Sequence, residues 1–289
     1  MSDLSGKRPA TPSATFGAGP AANTPTETFA PPSTLTLYWT AYVTIVRREI
    51  IRILRIWLQT LLPPAITMTL YFVIFGSLIG SRIGAMDGHS YMDFIAPGII
   101  MMSVITNAYG NVVSSFFSAK YQRHIEELLV APVPNWIVLA GYISGGLFRG
   151  LAVGAIVTVV ALCFSDIHIA HPLITITTVL LTALLFSIGG LINAIFARSF
   201  DDVSIVPTFI LTPLTYLGGV FYSVSLLPDF WQTVSLANPI LYMVNAFRYG
   251  FLGSADIGLG VAYAVMLAFS IGLGALALYL LNTGRGLKS

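Results

Sequence analysis

Six apolar stretches, near residues 58–80, 93–118, 136–163, 173–197, 203–224 and 257–281, dominate the chain. Each is long enough for an α-helix to cross a hydrocarbon core of roughly 30 Å, which needs about 20 apolar residues. Inside that core only helices or closed barrels satisfy every backbone N–H and C=O. The chain therefore reads as an all-α membrane protein with six transmembrane helices. Composition agrees: 56% apolar and 9% charged residues, with a mean hydropathy of +0.83, leave too little polar surface for a water-soluble domain.

Before the first span, residues 1–35 are rich in Pro, Ala, Thr, Ser and Gly. Such a segment buries too little apolar surface to offset its ordering entropy, so it reads as a disordered tail. It lacks the apolar core of a cleaved secretory signal, and insertion would rely on a later internal helix. Residues 36–57 change character. Trp39, Tyr42 or Val43, Val46, Ile50, Ile53 and Trp57 recur at three- and four-residue steps, while Arg48, Arg52 and Arg55 fall on another face. This predicts an amphipathic helix at the membrane surface, with its basic face toward anionic headgroups. The transmembrane domain would then occupy 58–289. Pro63 and Pro64 are expected to bend the start of the first span or to mark its first turn.

Between spans five and six, SLLPDFWQTVSLANPILYMVNAFRYGFLG is apolar but broken by Pro228 and Pro239. Its pieces are too short to cross. They read as two short re-entrant helices dipping into the outer leaflet, and a kinked seventh span is the alternative. Basic residues decide between these readings. Lys7, Arg8, Arg47, Arg48, Arg52, Arg55, Lys120, Arg123, Arg198, Arg285 and Lys288 fall on one side of a six-span topology. Arg82 and Arg248 fall on the other, and Arg149 lies within span three. Six crossings with both termini cytoplasmic follow, because a seventh would place Arg285 and Lys288 outside.

The chain has no Walker-type phosphate loop, no Gly-x-Ser-x-Gly elbow and no paired carboxylates at mid-membrane, so catalysis has no seat in it. Lone Cys163 and the scattered His89, His124, His168 and His171 offer no metal-ligand spacing, and a net charge of +2 argues against nucleic acid. Asp87, Asp93, Asp166, Asp201, Asp202, Asp229 and Asp256 fall at loops or span ends, which disfavours an ion-coupled secondary carrier. The loop after span two, SAKYQRHIEELLVAPVPNW, carries a short helical segment from Arg123 to Val130, stopped by Pro132 and Pro134. Glu126 and Glu127 lie on one side of it and Ile125, Leu128 and Leu129 on another. That shape suits either docking into a partner's groove or an ordinary connector tucked on the bundle.

The motif EELLVAPVP, with Asp201 and Asp202, the run PTFILTPLTYLGGVFYSVSLLP, the NPI sequence and Arg248, resembles the membrane permease subunits of type-2 ATP-binding-cassette (ABC) exporters. The resemblance covers residue 36 to the C-terminus. LPPAITMTLYFVIFG and the ending GRGL resemble the YadH-like bacterial inner-membrane branch. It implies a permease subunit of an ATP-driven exporter of lipids, lipid-linked glycans or hydrophobic drugs, in the bacterial inner membrane. Two copies of the chain would pair among membrane lipids, each binding one ABC ATPase subunit. ATP and Mg would be bound by that partner, with no cofactor in this chain.

In such a subunit the loop between spans two and three is a coupling helix, here Arg123, His124, Glu126, Glu127, Leu128, Leu129 and Pro132. The helix bearing Arg48, Arg52 and Arg55 would be the interface helix, and Pro228, Trp231, Pro239 and Arg248 would belong to the re-entrant segment. Polar residues within the spans, Asn107, Asn111, Arg149, Asn193, Thr212, Thr215 and Tyr216, are candidates for the translocation path, because buried polar groups seek protein or water. Arg149 is expected to bond Asn107 or backbone carbonyls. The glycines of spans three to five would allow close helix approach.

Overall fold

The computed structural model describes residues 33–86 and 88–287. Nearly all of the tail read as 1–35 lies outside these residues, as do Lys7, Arg8, Asp87 and Lys288. Helix α1 spans Thr34–Arg55 and α2 Trp57–Tyr71, with the break at Ile56 (φ −113°, ψ 32°). The amphipathic helix thus ends two residues before the expected boundary. Pro63 and Pro64 sit in the second turn of α2 and mark neither its start nor the break. The helix continues through a π-helical stretch, Phe72–Ile79, into α3, Gly80–Ile83. A small hairpin pairs Ala85–Met86 with His89–Ser90.

Helix α4 (Tyr91–Tyr121) begins at Ser90, whose Oγ accepts the Asp93 N–H at 3.2 Å. Its most apolar window is 83% buried, which makes it the axis of the bundle. The short α5 (His124–Val130) leads into α6 (Asn135–Leu162), α7 (Pro172–Phe196) and α8 (Phe200–Val206). Among the described residues, five helices are long and apolar enough to cross a membrane: Trp57–Gly76, Tyr91–Tyr121, Asn135–Leu162, Pro172–Phe196 and Leu259–Thr283. The first and last of these bury only 17% and 28% of their windows, so most of their apolar surface is left for lipid or a partner.

The apolar stretch expected at 203–224 is built differently. It runs as α8, a π-helical stretch Pro207–Leu211 and α9 (Thr212–Leu217), and it leaves helical geometry at Gly218 and Gly219. Pro207 and Pro213 each remove a backbone donor, which explains the widened turn between them. Gly219 takes φ +71°, and its positive φ ends the helix early. The composite still runs the length of α4 in the opposite direction. Phe200 meets the rings of Phe117 and Tyr121 at 5.0 and 5.2 Å. At the far end Val220 packs so closely on Gly98 that a Cβ there would lie 2.5 Å from the Val220 carbonyl oxygen.

Helix α10 (Asp229–Leu236), α11 (Pro239–Leu252) and α12 (Leu259–Thr283) complete the chain. Pro228 and Pro239 stand at helix starts, Pro228 as the residue capping α10 and Pro239 as the first residue of α11. There neither costs a helical hydrogen bond. Asn238 caps α11 by accepting the Ile240 N–H at 3.0 Å, and its Nδ2 donates to the Leu214 carbonyl at 2.6 Å. Helix α11 is largely buried against α4, α7 and α12, whereas α10 exposes Phe230 and Trp231.

Candidate functional site

The short helix α5 is fixed by three local features. Arg123, just before it, adopts the left-handed region (φ 62°, ψ 6°), the one positive φ on a non-glycine among the described residues. This costs about 1 kcal/mol and turns the chain sharply out of α4, with the Arg123 N–H on the Lys120 carbonyl at 3.0 Å. Ile125 is buried. Leu128 lines an apolar groove of about 240 Å³ with Leu37, Ala41 and Ile45 of α1 and Val133 of the following loop. Hence α5 packs on α4, and Leu128 in its second turn faces α1 across the groove. His124, Glu126, Glu127 and Pro132 are exposed, and Glu126 also lines a cleft beside the ends of α4 and α7. Of Leu129 only the backbone is described.

Helix α1 packs beside the first half of α6 in the same direction. Tyr38 meets the Trp136 ring edge-on at 6.4 Å, and Tyr42 Oη lies 2.9 Å from Ser144 Oγ. A Cβ at Gly141 would come within 2.5 Å of Ile45, and one at Gly145 within 2.8 Å of Glu49. The small residues of α6 therefore let the α1 backbone approach closely. The buried stripe of α1 is Ile45, Glu49 and Ile53, not the purely apolar face expected. Arg52 correspondingly turns inward, while Arg48 stays exposed and reaches in only with its tip.

Glu49 is 1% exposed and carries the contact. Arg52 Nη2 donates to its Oε2 at 2.9 Å, Ser115 Oγ donates to its Oε1 at 2.7 Å, and Arg48 Nη2 lies 3.7 Å from Oε1. The same Arg52 nitrogen reaches Asn111 Oδ1 at 2.9 Å, and Arg48 donates to Tyr142 Oη at 2.7 Å. The expectation of a solvated basic face thus holds for Arg55 and for Arg48, which stays exposed while its tip reaches Tyr142, but not for Arg52. A carboxylate among four arginines is the physical reason: buried, it needs cationic partners, and it draws its neighbours with it. Sequence reasoning missed Glu49, although it is the one acidic residue between Arg47 and Arg55.

The residues grouped as a translocation path are distributed over several places. Asn111 faces Arg52, at the docking site of α1. Asn107 Nδ2 donates to the Ser103 carbonyl of its own helix at 3.0 Å, and no Arg149–Asn107 hydrogen bond forms among the described residues. Arg149 is half-buried in α6, with its Nε unpaired. Asn193 donates to the Val203 carbonyl at 3.2 Å, tying α7 to α8. Thr212 and Thr215 turn their hydroxyls back on the Pro207 and Leu211 carbonyls of their own helix. Tyr216 is exposed and lies 3.3 Å, hydroxyl to hydroxyl, from Tyr71 of α2.

At the end of the bundle opposite α5, Arg248 of α11 is 4% exposed. Its Nε donates to the Phe94 carbonyl at 3.3 Å, its Nη2 to the Gly219 carbonyl at 2.6 Å, and its guanidinium sits 3.8 Å over the Phe94 ring. One side chain thereby ties the start of α4, the end of the composite helix and α11 together. Near it, Leu226, Phe230, Trp231 and Leu236 leave a broad apolar surface on and around α10.

A bundle of long apolar helices, with an amphipathic helix docked on one end and a short acidic helix projecting beside it, defines a multi-pass membrane protein of the transporter class. Residues 40–252 match the family model described as ABC-2 type transporter, and the chain belongs to that family. The inner membrane transport permease YadH of Escherichia coli (strain K12) is 58% identical over 253 residues, covering 88% of this chain and 99% of that protein. The YadH permease of Shigella flexneri matches to the same extent. Nodulation protein J of Rhizobium meliloti (strain 1021) is 22% identical over 231 residues, covering 80% of this chain and 88% of its own.

Proposed function

We propose that the chain is the transport permease of an ABC exporter in the bacterial inner membrane, driven by a separate ABC ATPase. Family membership and the YadH relatives support a transport permease. One structural observation carries the coupling: α5 packs on α4 and borders α1 across an apolar groove at Leu128, while Glu126 and Glu127 are exposed. A force applied to the acidic face reaches the central helix directly, because packed interfaces shift as units, and reaches the amphipathic helix as the groove between them closes. Arg123, His124, Glu126, Glu127, Leu128, Leu129 and Pro132 form this contact in our reading, and α1 with Glu49, Arg48 and Arg52 passes the motion on to α4 and α6.

The rest of the assembly follows from that reading. The chain crosses six times, the composite of α8 and α9 being the fifth crossing, and both termini are cytoplasmic. Lys120, Arg123, Arg198 and Arg285 near the ends of α4, α7 and α12 support this orientation. Helices α10 and α11 dip into the outer leaflet without crossing. Two copies pair, each with one ATPase that binds ATP and Mg, and alternating access expels a lipid, a lipid-linked glycan or a hydrophobic drug. Asn107, Asn111, Arg149, Asn193, Thr212, Thr215 and Tyr216 remain the path candidates. The rival ion-coupled carrier needs a buried carboxylate free to take up a proton, and Glu49 is engaged by Arg52 and Ser115. Co-purification in mild detergent tests the proposal: the ATPase should remain bound to the wild-type permease and be lost from the Glu126→Lys, Glu127→Lys variant. Retention in that variant would remove α5 from the contact.

A further inference from the structure

At the α5 end of the bundle, a cleft of about 660 Å³ opens between the ends of α4 and α7, with Lys120, Arg123, Arg198 and Glu126 in its lining. Three cations face one carboxylate there. Arg123 and Arg198 are exposed, and neither guanidinium has a hydrogen-bond or ion-pair partner among the described residues. Lys120 gives two of its three donors to the Ile195 and Ala197 carbonyls, which end α7, and keeps the third. The other carboxylate close by, Asp202, spends Oδ2 on the backbone N–H groups of Arg198 and Ser199.

Apolar surface borders these charges. Tyr121, Phe196 and Phe200 are 64%, 56% and 58% exposed, and Tyr121 and Phe200 lie against one another at 5.2 Å between ring centroids. Cations set beside exposed rings at the ends of membrane helices match a phospholipid, with a phosphate to neutralise and acyl chains to cover the rings. An acidic protein side chain would use only the cations. We infer that this cleft binds the headgroup of an anionic phospholipid, with its chains laid over Phe196 and Phe200. The inference rests on the orientation proposed above, which sets the cleft at the inner leaflet. Lipid binding needs no ATPase, so the two proposals fail separately.

The test is thermal melting of the purified full-length permease in detergent, titrated with phosphatidylglycerol, phosphatidylcholine or inorganic phosphate. Phosphatidylglycerol should raise the melting temperature where the other two do not. The Arg123→Gln, Arg198→Gln pair should need roughly thirtyfold more phosphatidylglycerol for half the shift, from about 1 kcal/mol per basic residue at an anionic surface. Arg198→Gln alone should give a smaller effect and Arg82→Gln none. An equal response to phosphatidylcholine, or a full response to inorganic phosphate, would overturn the inference. So would an unchanged titration in the double variant, including the case in which that variant loses only the ATPase.

Discussion

Ser115 Oγ donates to Glu49 Oε1 at 2.7 Å, joining the central helix α4 to the docked helix α1 through a carboxylate that is 1% exposed. With Arg52 completing the site, Glu49 holds α1 on the bundle. Glu49→Ala should destabilise the protein by about 2 kcal/mol, below the roughly 3–5 kcal/mol of a fully buried pair because Arg52 keeps access to solvent. Glu49→Gln, which can still accept from Ser115, should lose less. Melting in detergent measures both, and equal melting of Glu49→Ala and wild type would mean that Glu49 does not hold the helix.

Close approach along α6 gives a second expectation. Gly145→Val places its side chain against Glu49, and Gly141→Val meets Ile45, so each should cost about 1–3 kcal/mol through overpacking. Gly110→Ala is the contrast. A Cβ at Gly110 meets nothing within 4 Å, and alanine should be neutral or stabilise helix α4 by about 0.5–1 kcal/mol. A ranking in which Gly110→Ala proved the most harmful would contradict this packing.

Much of this fold was legible in the sequence. The second, third, fourth and sixth apolar stretches lie within about three residues of α4, α6, α7 and α12, because uninterrupted apolar runs leave a helix no competitor. Of the fifth, only the end was not, because its tail GGVFY is apolar in composition yet folds as a loop clamped by Arg248 on the Gly219 carbonyl. Hydropathy cannot see a hydrogen bond formed 29 residues away. The acidic face of α5 was visible as EELLV. The inward turn of Arg52 was hidden, since it depends on Glu49, which Ser115 holds, and on Asn111 of another helix.

Arg248 supplies a third prediction. Arg248→Met leaves the Gly219 carbonyl, and in part that of Phe94, without a partner in a buried site. At about 1–3 kcal/mol per unsatisfied group, the variant should express poorly or melt well below wild type. Wild-type melting would show that the clamp is dispensable.

Acid provides a fourth. Asp202 holds the start of α8 through the N–H groups of Arg198 and Ser199, and these bonds keep its carboxyl below the usual carboxylate range. A carboxyl with a lowered folded-state value stabilises above its unfolded value near 3.8, and loses that contribution as pH falls through the lowered one. Amide exchange at residues 200–206 should therefore quicken, relative to the rest of the bundle, only below about pH 4. In Asp202→Asn it should already be fast at neutral pH. A variant protected like wild type at neutral pH would remove the capping role.

The claim on which the account stands is that work reaches this chain from outside, through α5. The direct measurement is uphill movement of a fluorescent lipid or drug in vesicles that contain the purified permease, with and without its ATPase. Accumulation should require both the ATPase and ATP, and should collapse in the Glu126→Lys, Glu127→Lys variant. Uphill accumulation by the permease alone, without ATP, would contradict the account.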